Sequence, residues 1–353
     1  MIMYRKHIYC ERKFLEICIS AIENWKIENC SFRELELWMS IKSMVLSSDI
    51  ILHLDVSPDD FDVIENKRGK GLSGIEKQLL KIYEQQHTGK THLKLSDRFV
   101  TLDTIDFTEN TQLTACYLTC SDSETCRLCM EKYGVVAINP EIIMDFGLVL
   151  RDNGVAIKKN KEADWNKALK PFPCNSLILI DNYIFCDSVM AKENLGKIFD
   201  SLLPIKLDLN VPFQISIFTP LKSSDKKNDI ESQPCYNETA AMIGELRPDL
   251  YFKLSIFKCK SDKFHDRTII TNNSYISCAG GFDLINSGKS SKTTIVNVVY
   301  PYFRGSINWA SHAYSNLINE VSEVAESATT FKPNSEYLSG FYIGNKENRL
   351  FSK

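Results

Sequence analysis

Two hydrophobic periods alternate along this chain. Lys6-His7-Ile8-Tyr9-Cys10 reads as a strand, after which Phe14, Leu15, Cys18, Ile19 and Ile22 recur at helical spacings. A second helix is expected over 31–46, with Ser31 as its N-cap and Glu34 completing a capping box. Asp49-Ile50-Ile51-Leu52-His53-Leu54-Asp55 reads as a buried strand that stops before Pro58 and a run of acids. A Gly-rich loop at 67–74 leads into a helix over 75–86. Strand signals return at 113–118 and 135–138, around a helix over 123–133 that Gly134 ends. This β-α-β-α rhythm predicts an α/β domain with a mostly parallel sheet.

Residues 151–173 are polar, Lys-rich and closed by Pro171 and Pro173, which suits a linker between domains at 1–150 and 174–353. The second half has strand patterns at 176–184, 213–218, 251–259, 268–272, 275–279 and 293–300. Helical patterns lie at 189–203 and 238–246, and a last amphipathic helix runs from Ala310 to Ala325. The expected fold class is therefore α/β, as two domains: a parallel sheet first, then a mixed sheet flanked by helices.

The chain of 353 residues is 44% hydrophobic and 25% charged, which fits folded domains and excludes a disordered or fibrous class. No apolar run reaches the length of a membrane span, and the first residues carry no signal-like apolar core, so a cytoplasmic protein is expected. The net charge of −3 offers no global attraction to nucleic acid or lipid, so any anion site must be local. One local excess exists. From Lys253 to Arg304 there are eight basic residues against three acids.

The segment Phe264–Asp283, FHDRTIITNNSYISCAGGFD, concentrates the candidate chemistry. On a strand, His265 and Arg267 share a face. Asn273-Ser274 makes a tight turn back into 275–279, and the hairpin ends in Gly280-Gly281, where bare backbone can approach an anion. His265, Arg267, Asn272, Gly280 and Gly281 are thus the candidate phosphate cradle. The segment resembles the phospholipase D superfamily. It keeps that signature's register, with Arg267 in place of a Lys and Asn272 in place of an Asp. It is closer to the phospholipase D-like C-terminal domain of MIT-domain proteins. His265-Asp266-Arg267 and Gly280-Gly281-Phe282-Asp283 match that domain's two boxes, with Ala279 where a first glycine is expected. The resemblance implies His265 as the catalytic nucleophile where the domain is active. Active members need two such boxes, so a homodimer, or a larger complex, is implied as well.

Leu118–Asp122, the helix after it and Val135–Pro140 resemble the last β-α-β element of PIN-like nucleases. That resemblance implies metal-dependent phosphodiester hydrolysis, with Mg²⁺ or Mn²⁺ held by acids at strand ends. Asp122 matches one such acid, Glu11 ends the opening strand, and Asp55 and Asp103 are further ligand candidates. Without a metal function, Asp122 and Ser123 cap a helix.

Cys116, Cys120, Cys126 and Cys129 have a spacing that zinc can use, but their placement on one strand and one helix face favours buried thiols. Gly69–Gly74 fits G-x-G-x-x-G without a strand feeding it, and Thr88–Thr91 lacks the first P-loop glycine, so no nucleotide cofactor is expected. Together these readings describe a phosphodiester-binding protein, most simply for nucleic acid, with a degenerate phospholipase D-like domain and a nuclease-like domain. By fold-level analogy such a two-domain protein resembles components of bacterial antiphage systems. The alternative is a catalytically inactive adaptor for a protein partner or a phospholipid surface.

Overall fold

The computed structural model describes residues 4–26, 31–47, 50–68, 71–87, 92–95, 101–102, 105, 107, 109–143, 154–169, 172–222, 230–260, 262–302, 308–336 and 338–351. It is α/β and divides into two units. The first comprises Met1–Glu131, Val135–Arg151 and Tyr300–Ser315; the second comprises Lys132–Gly134, Asp152–Val299 and Asn316–Lys353.

In the first unit, strands β1 (Lys6–Cys10), β2 (Ile50–Leu54), β3 (His92–Leu95), β4 (Cys116–Leu118) and β5 (Val136–Ile138) form a wholly parallel sheet in the order β3-β2-β1-β4-β5. Parallel neighbours need crossovers, which the helices supply. These are α1 (Arg12–Glu23), α2 (Phe32–Val45), α3 (Pro58–Asn66), α4 (Gly74–His87), the single turn α5 (Asn110–Leu113) and α6 (Ser123–Tyr133). Ser31 Oγ accepts from Glu34 N at 3.2 Å, the expected N-cap of α2. The acids after Pro58 turn out to be the first turn of α3, where Ser57 Oγ accepts from Asp60 N. Negative charge at a helix N-terminus is favourable there.

In the second unit a nine-stranded mixed sheet has the order β15-β16-β9-β8-β7-β10-β11-β14-β6. Its strands are β6 (Val155–Ile157), β7 (Ser176–Ile180), β8 (Phe213–Thr219), β9 (Phe252–Lys258), β10 (Thr268–Thr271), β11 (Tyr275–Cys278), β14 (Thr294–Val299), β15 (Thr329–Thr330) and β16 (Phe341–Gly344). A small hairpin, β12 (Ile285–Asn286) with β13 (Lys289–Ser290), stands apart. The helices are α7 (Trp165–Leu169), α8 (Ser188–Leu202), α9 (Ser232–Leu246) and, from Asn316 onward, α10 (Asn308–Ser327). Strands β7, β8 and β9 are parallel, whereas β10, β11, β14 and β6 continue the sheet antiparallel. Every residue of β7 and β8 is buried, the polar Ser176, Gln214, Ser216 and Thr219 included. Phe218 and Phe257 stack across β8 and β9 with centroids 4.5 Å apart.

Two expectations change. Residues 151–173, expected as a linker, instead supply the edge strand β6 and helix α7, whose Trp165, Ala168 and Leu169 are buried. The strand expected over 176–184 ends at Ile180, and Asp181 begins a turn. Among the described residues, no helix is long and apolar enough to cross a membrane.

Candidate functional site

Strand register brings three chain segments together at one end of the second sheet. Thr268, the first residue of β10, pairs with Ile180 on one side and with Ser277 on the other. Asp181, Arg267 and Cys278 are the next residues outward, so all three meet at the carboxyl end of β7. Cys278 N donates to Arg267 O at 3.1 Å, extending the ladder by one step.

Arg267 then folds over the turn that follows β11. Its Nη1 donates to Ala279 O at 2.8 Å, and its guanidinium lies 5.0 Å from the centroid of the Tyr183 ring. Lys292 reaches the same turn from the other side. Its Nζ donates to Gly280 O at 3.1 Å and pairs with Asp283 at 3.2 Å. Two cations therefore sit on neighbouring carbonyls of one turn.

Beneath them lies Asp181, which has no exposed surface. Its Oδ1 accepts from Tyr183 N at 2.7 Å and its Oδ2 from Phe282 N at 2.6 Å. Burial pushes its carboxyl up to about 6. The Phe282 and Tyr183 amides oppose that rise, Asp283 adds to it, and Arg267 draws it back down.

Several expected members of the cradle are elsewhere. Asn272 ends the opposite end of β10 from Arg267, so at about 3.3 Å per residue the two are roughly 17 Å apart. Its side chain is fully engaged there: Oδ1 accepts from Asn175 N and Ser176 N, and Nδ2 donates to Asn175 Oδ1. It is a structural clamp on the start of β7.

Of the turn glycines Gly281 lies against Arg267, and the amides of both are spent. Gly280 N donates to Thr294 Oγ1 at 2.9 Å and Gly281 N to Cys278 O at 3.0 Å. Gly281 has φ +85°, and a Cβ there would stand 2.6 Å from Asp283 Oδ1 and 3.0 Å from Arg267 Cδ. The bare backbone thus admits the protein's own arginine. His265 is exposed in the loop before β10 and not on a strand, so period-two facing does not apply to it. Of the basic excess, Lys253 pairs with Glu347 and buried Lys258 donates to Glu336 O, while Arg304 lies outside the described residues.

In the first unit, Glu11, Asp55 and Asp122 follow β1, β2 and β4, all at the carboxyl edge of the parallel sheet. Open parallel sheets hold ligands at this edge, next to the strand where the order reverses, here β1. Each acid has its own local task, however. Glu11 Oε1 accepts from Thr119 Oγ1 and Oε2 from Cys120 N at 2.7 Å, which ties β1 to the end of β4. Asp122 accepts from Thr125 N at 2.9 Å and from Thr125 Oγ1 at 2.8 Å, the capping role. These bonds hold its carboxyl below the usual range. Asp55 is exposed. Among the described residues no three His, Cys, Asp or Glu side chains gather as a metal-binding group. Asp103 and Thr88–Thr91 lie outside the described residues. Cys116, Cys126 and Cys129 are buried thiols, and burial pushes Cys116 up to about 12.

Asp181, Tyr183 and the pairing role of Lys292 escaped the sequence reading. The signal in the sequence is Asp181 itself, an acid directly after the apolar run Leu177–Ile180.

No family model and no curated protein matches the chain. Among solved structures it is similar to TrmBL2, an archaeal chromatin protein whose structure shows a novel mode of DNA binding, at 9% sequence identity and a TM-score of 0.25. The match covers 88% of this chain and 97% of that chain. A likeness this weak carries no argument about ligand or fold.

Proposed function

We propose that the second unit binds a phosphodiester, with nucleic acid as the ligand, through Arg267 and Lys292. The observation that carries this reading is their convergence on Ala279 O and Gly280 O, consecutive carbonyls of one turn. The Arg267 fork has five N–H donors and spends one on Ala279, so it keeps donors for phosphate oxygens. Asp283 offsets part of the Lys292 charge. The expected site is accordingly modest in affinity and sensitive to salt.

The test is fluorescence anisotropy with short labelled single-stranded DNA and RNA at low salt. Two neutralised phosphates predict a slope of log affinity against log salt of about −1 to −2. Arg267→Ala/Lys292→Ala should abolish that binding. Binding that survives in the double variant, or no binding by the wild type, overturns the reading. Parallel samples with and without Mn²⁺ read cleavage, and His265→Ala and Glu11→Gln assign any cleavage to one unit or the other.

A further inference from the structure

We propose that Asp181 is the positioning residue of this site, whose single carboxylate sets the relation between Arg267 and Lys292. This rests on the phosphodiester reading above and deepens it. Asp181 Oδ1 holds Tyr183 N, and the Tyr183 ring is the surface on which the Arg267 guanidinium lies. Asp181 Oδ2 holds Phe282 N, and Phe282 closes the turn whose carbonyls receive Arg267 and Lys292. One side chain therefore fixes both the platform under the first cation and the anchor shared by the two. The chain enters and leaves this carboxylate on segments 101 residues apart in sequence, so nothing local can replace it.

The proposal has an unusual sign. A carboxylate that merely sat near a bound phosphate would repel it, and removing its charge would tighten binding. A carboxylate that positions the two cations has the opposite effect, because its removal loosens them. Asp181→Asn separates the two cases. The amide can accept from one backbone N–H, but its NH₂ group faces the other. Protonation of Asp181 itself acts in the same way, since a carboxylic acid cannot accept well from both amides. The groups that face Asp181 are Arg267, Asp283 and the Cys278 thiol, and burial holds that thiol uncharged.

The experiment is anisotropy with the labelled oligonucleotide, for wild type and Asp181→Asn at pH 7.5. It is repeated from pH 5 to pH 7.5 in a His265→Ala background, so that the imidazole contributes no charge. The expected result is about tenfold weaker binding by Asp181→Asn, the equivalent of one buried hydrogen bond. In the His265→Ala background, affinity should fall as the pH drops through about 6, where the Asp181 carboxyl takes up its proton. That profile needs no change at Asp181, so it reports even where Asp181→Asn folds poorly. Equal or tighter binding by folded Asp181→Asn, or affinity that rises towards pH 5, overturns the positioning role alone when Arg267→Ala/Lys292→Ala abolishes binding. A wild type that binds no oligonucleotide overturns the phosphodiester reading and this inference with it.

Discussion

Phe282 N donates to Asp181 Oδ2 at 2.6 Å, joining residues 101 positions apart at the carboxyl end of β7. Together with the bond from Tyr183 N, this makes a buried carboxylate a structural joint. Asp181→Ala should leave both amides unpaired, at a cost of about 1–3 kcal/mol each. Chemical denaturation at pH 7.5 measures the loss, and a change below about 0.5 kcal/mol would mean that water replaces the carboxylate without penalty.

The raised carboxyl of Asp181 also sets a pH trend. Its value moves from 3.8 to about 6 on folding, so the native state holds this proton more tightly than the unfolded chain. The stability it contributes is complete below pH 3.8 and lost as the pH rises through about 6. Urea midpoints of wild type relative to Asp181→Asn should therefore decline between pH 4 and pH 6.5. A flat difference would show that Asp181 titrates normally.

His7 and His53 predict the reverse trend in the first unit. The imidazoles lie on adjacent strands, with His7 Nδ1 2.9 Å from His53 Nε2, and Tyr9 stacks on His53 at 4.2 Å. Burial, aided for both by Lys94, holds the two below the ordinary imidazole range. A depressed imidazole disfavours the protonated native state, so stability is lost as the pH falls below about 6.5. With both rings partly open to solvent, about 1–2 kcal/mol is expected between pH 7.5 and pH 5. His53→Phe keeps the stack and should lose less; an equal loss in the variant would place the proton uptake elsewhere.

Gly281 and Gly288 form an internal control. Both have positive φ, +85° and +81°, but a Cβ at Gly288 meets nothing within 4 Å. Gly288→Ala should cost about 1–2 kcal/mol, the backbone penalty alone. Gly281→Ala should cost more, because its methyl displaces Asp283 and Arg267, and it should weaken oligonucleotide binding as well. Equal costs, with binding intact, would mean that Arg267 is not seated against Gly281.

Asn272→Asp introduces the Asp of the phospholipase D signature that this segment resembles, yet it should not create activity. The new carboxylate would face Asn175 Oδ1, replacing a donor with a buried charge. A loss of about 2–4 kcal/mol is expected, with anion binding at Arg267 unchanged in the folded fraction. Thermal denaturation and anisotropy read the two effects separately.

Local chemistry was legible in the sequence. The helical period of α1, the Ser31 cap, the buried runs of β7 and β8 and the turn at Asn273-Ser274 all depend on residues a few positions apart. The α/β class follows from their alternation, and the chain indeed forms a parallel sheet and a mixed one. The site was half legible. Arg267 and the Gly280-Gly281 turn stood out because the hairpin that joins them is local.

Long-range pairing decided the rest. Val155–Ile157 is polar in its surroundings, and only its register with Thr294–Val296 makes it a strand. Asn272 carries the same amide wherever it lies, but the start of β7, nearly a hundred positions away, turns it into a clamp. Asp181 gained its role because an antiparallel strand was laid beside β7 in a register that put Arg267 and Phe282 around it. Periodicity reports which face of an element is apolar, and it carries no information on which distant backbone amide will need an acceptor. That choice belongs to strand order and register, which exist only once the sheet has closed.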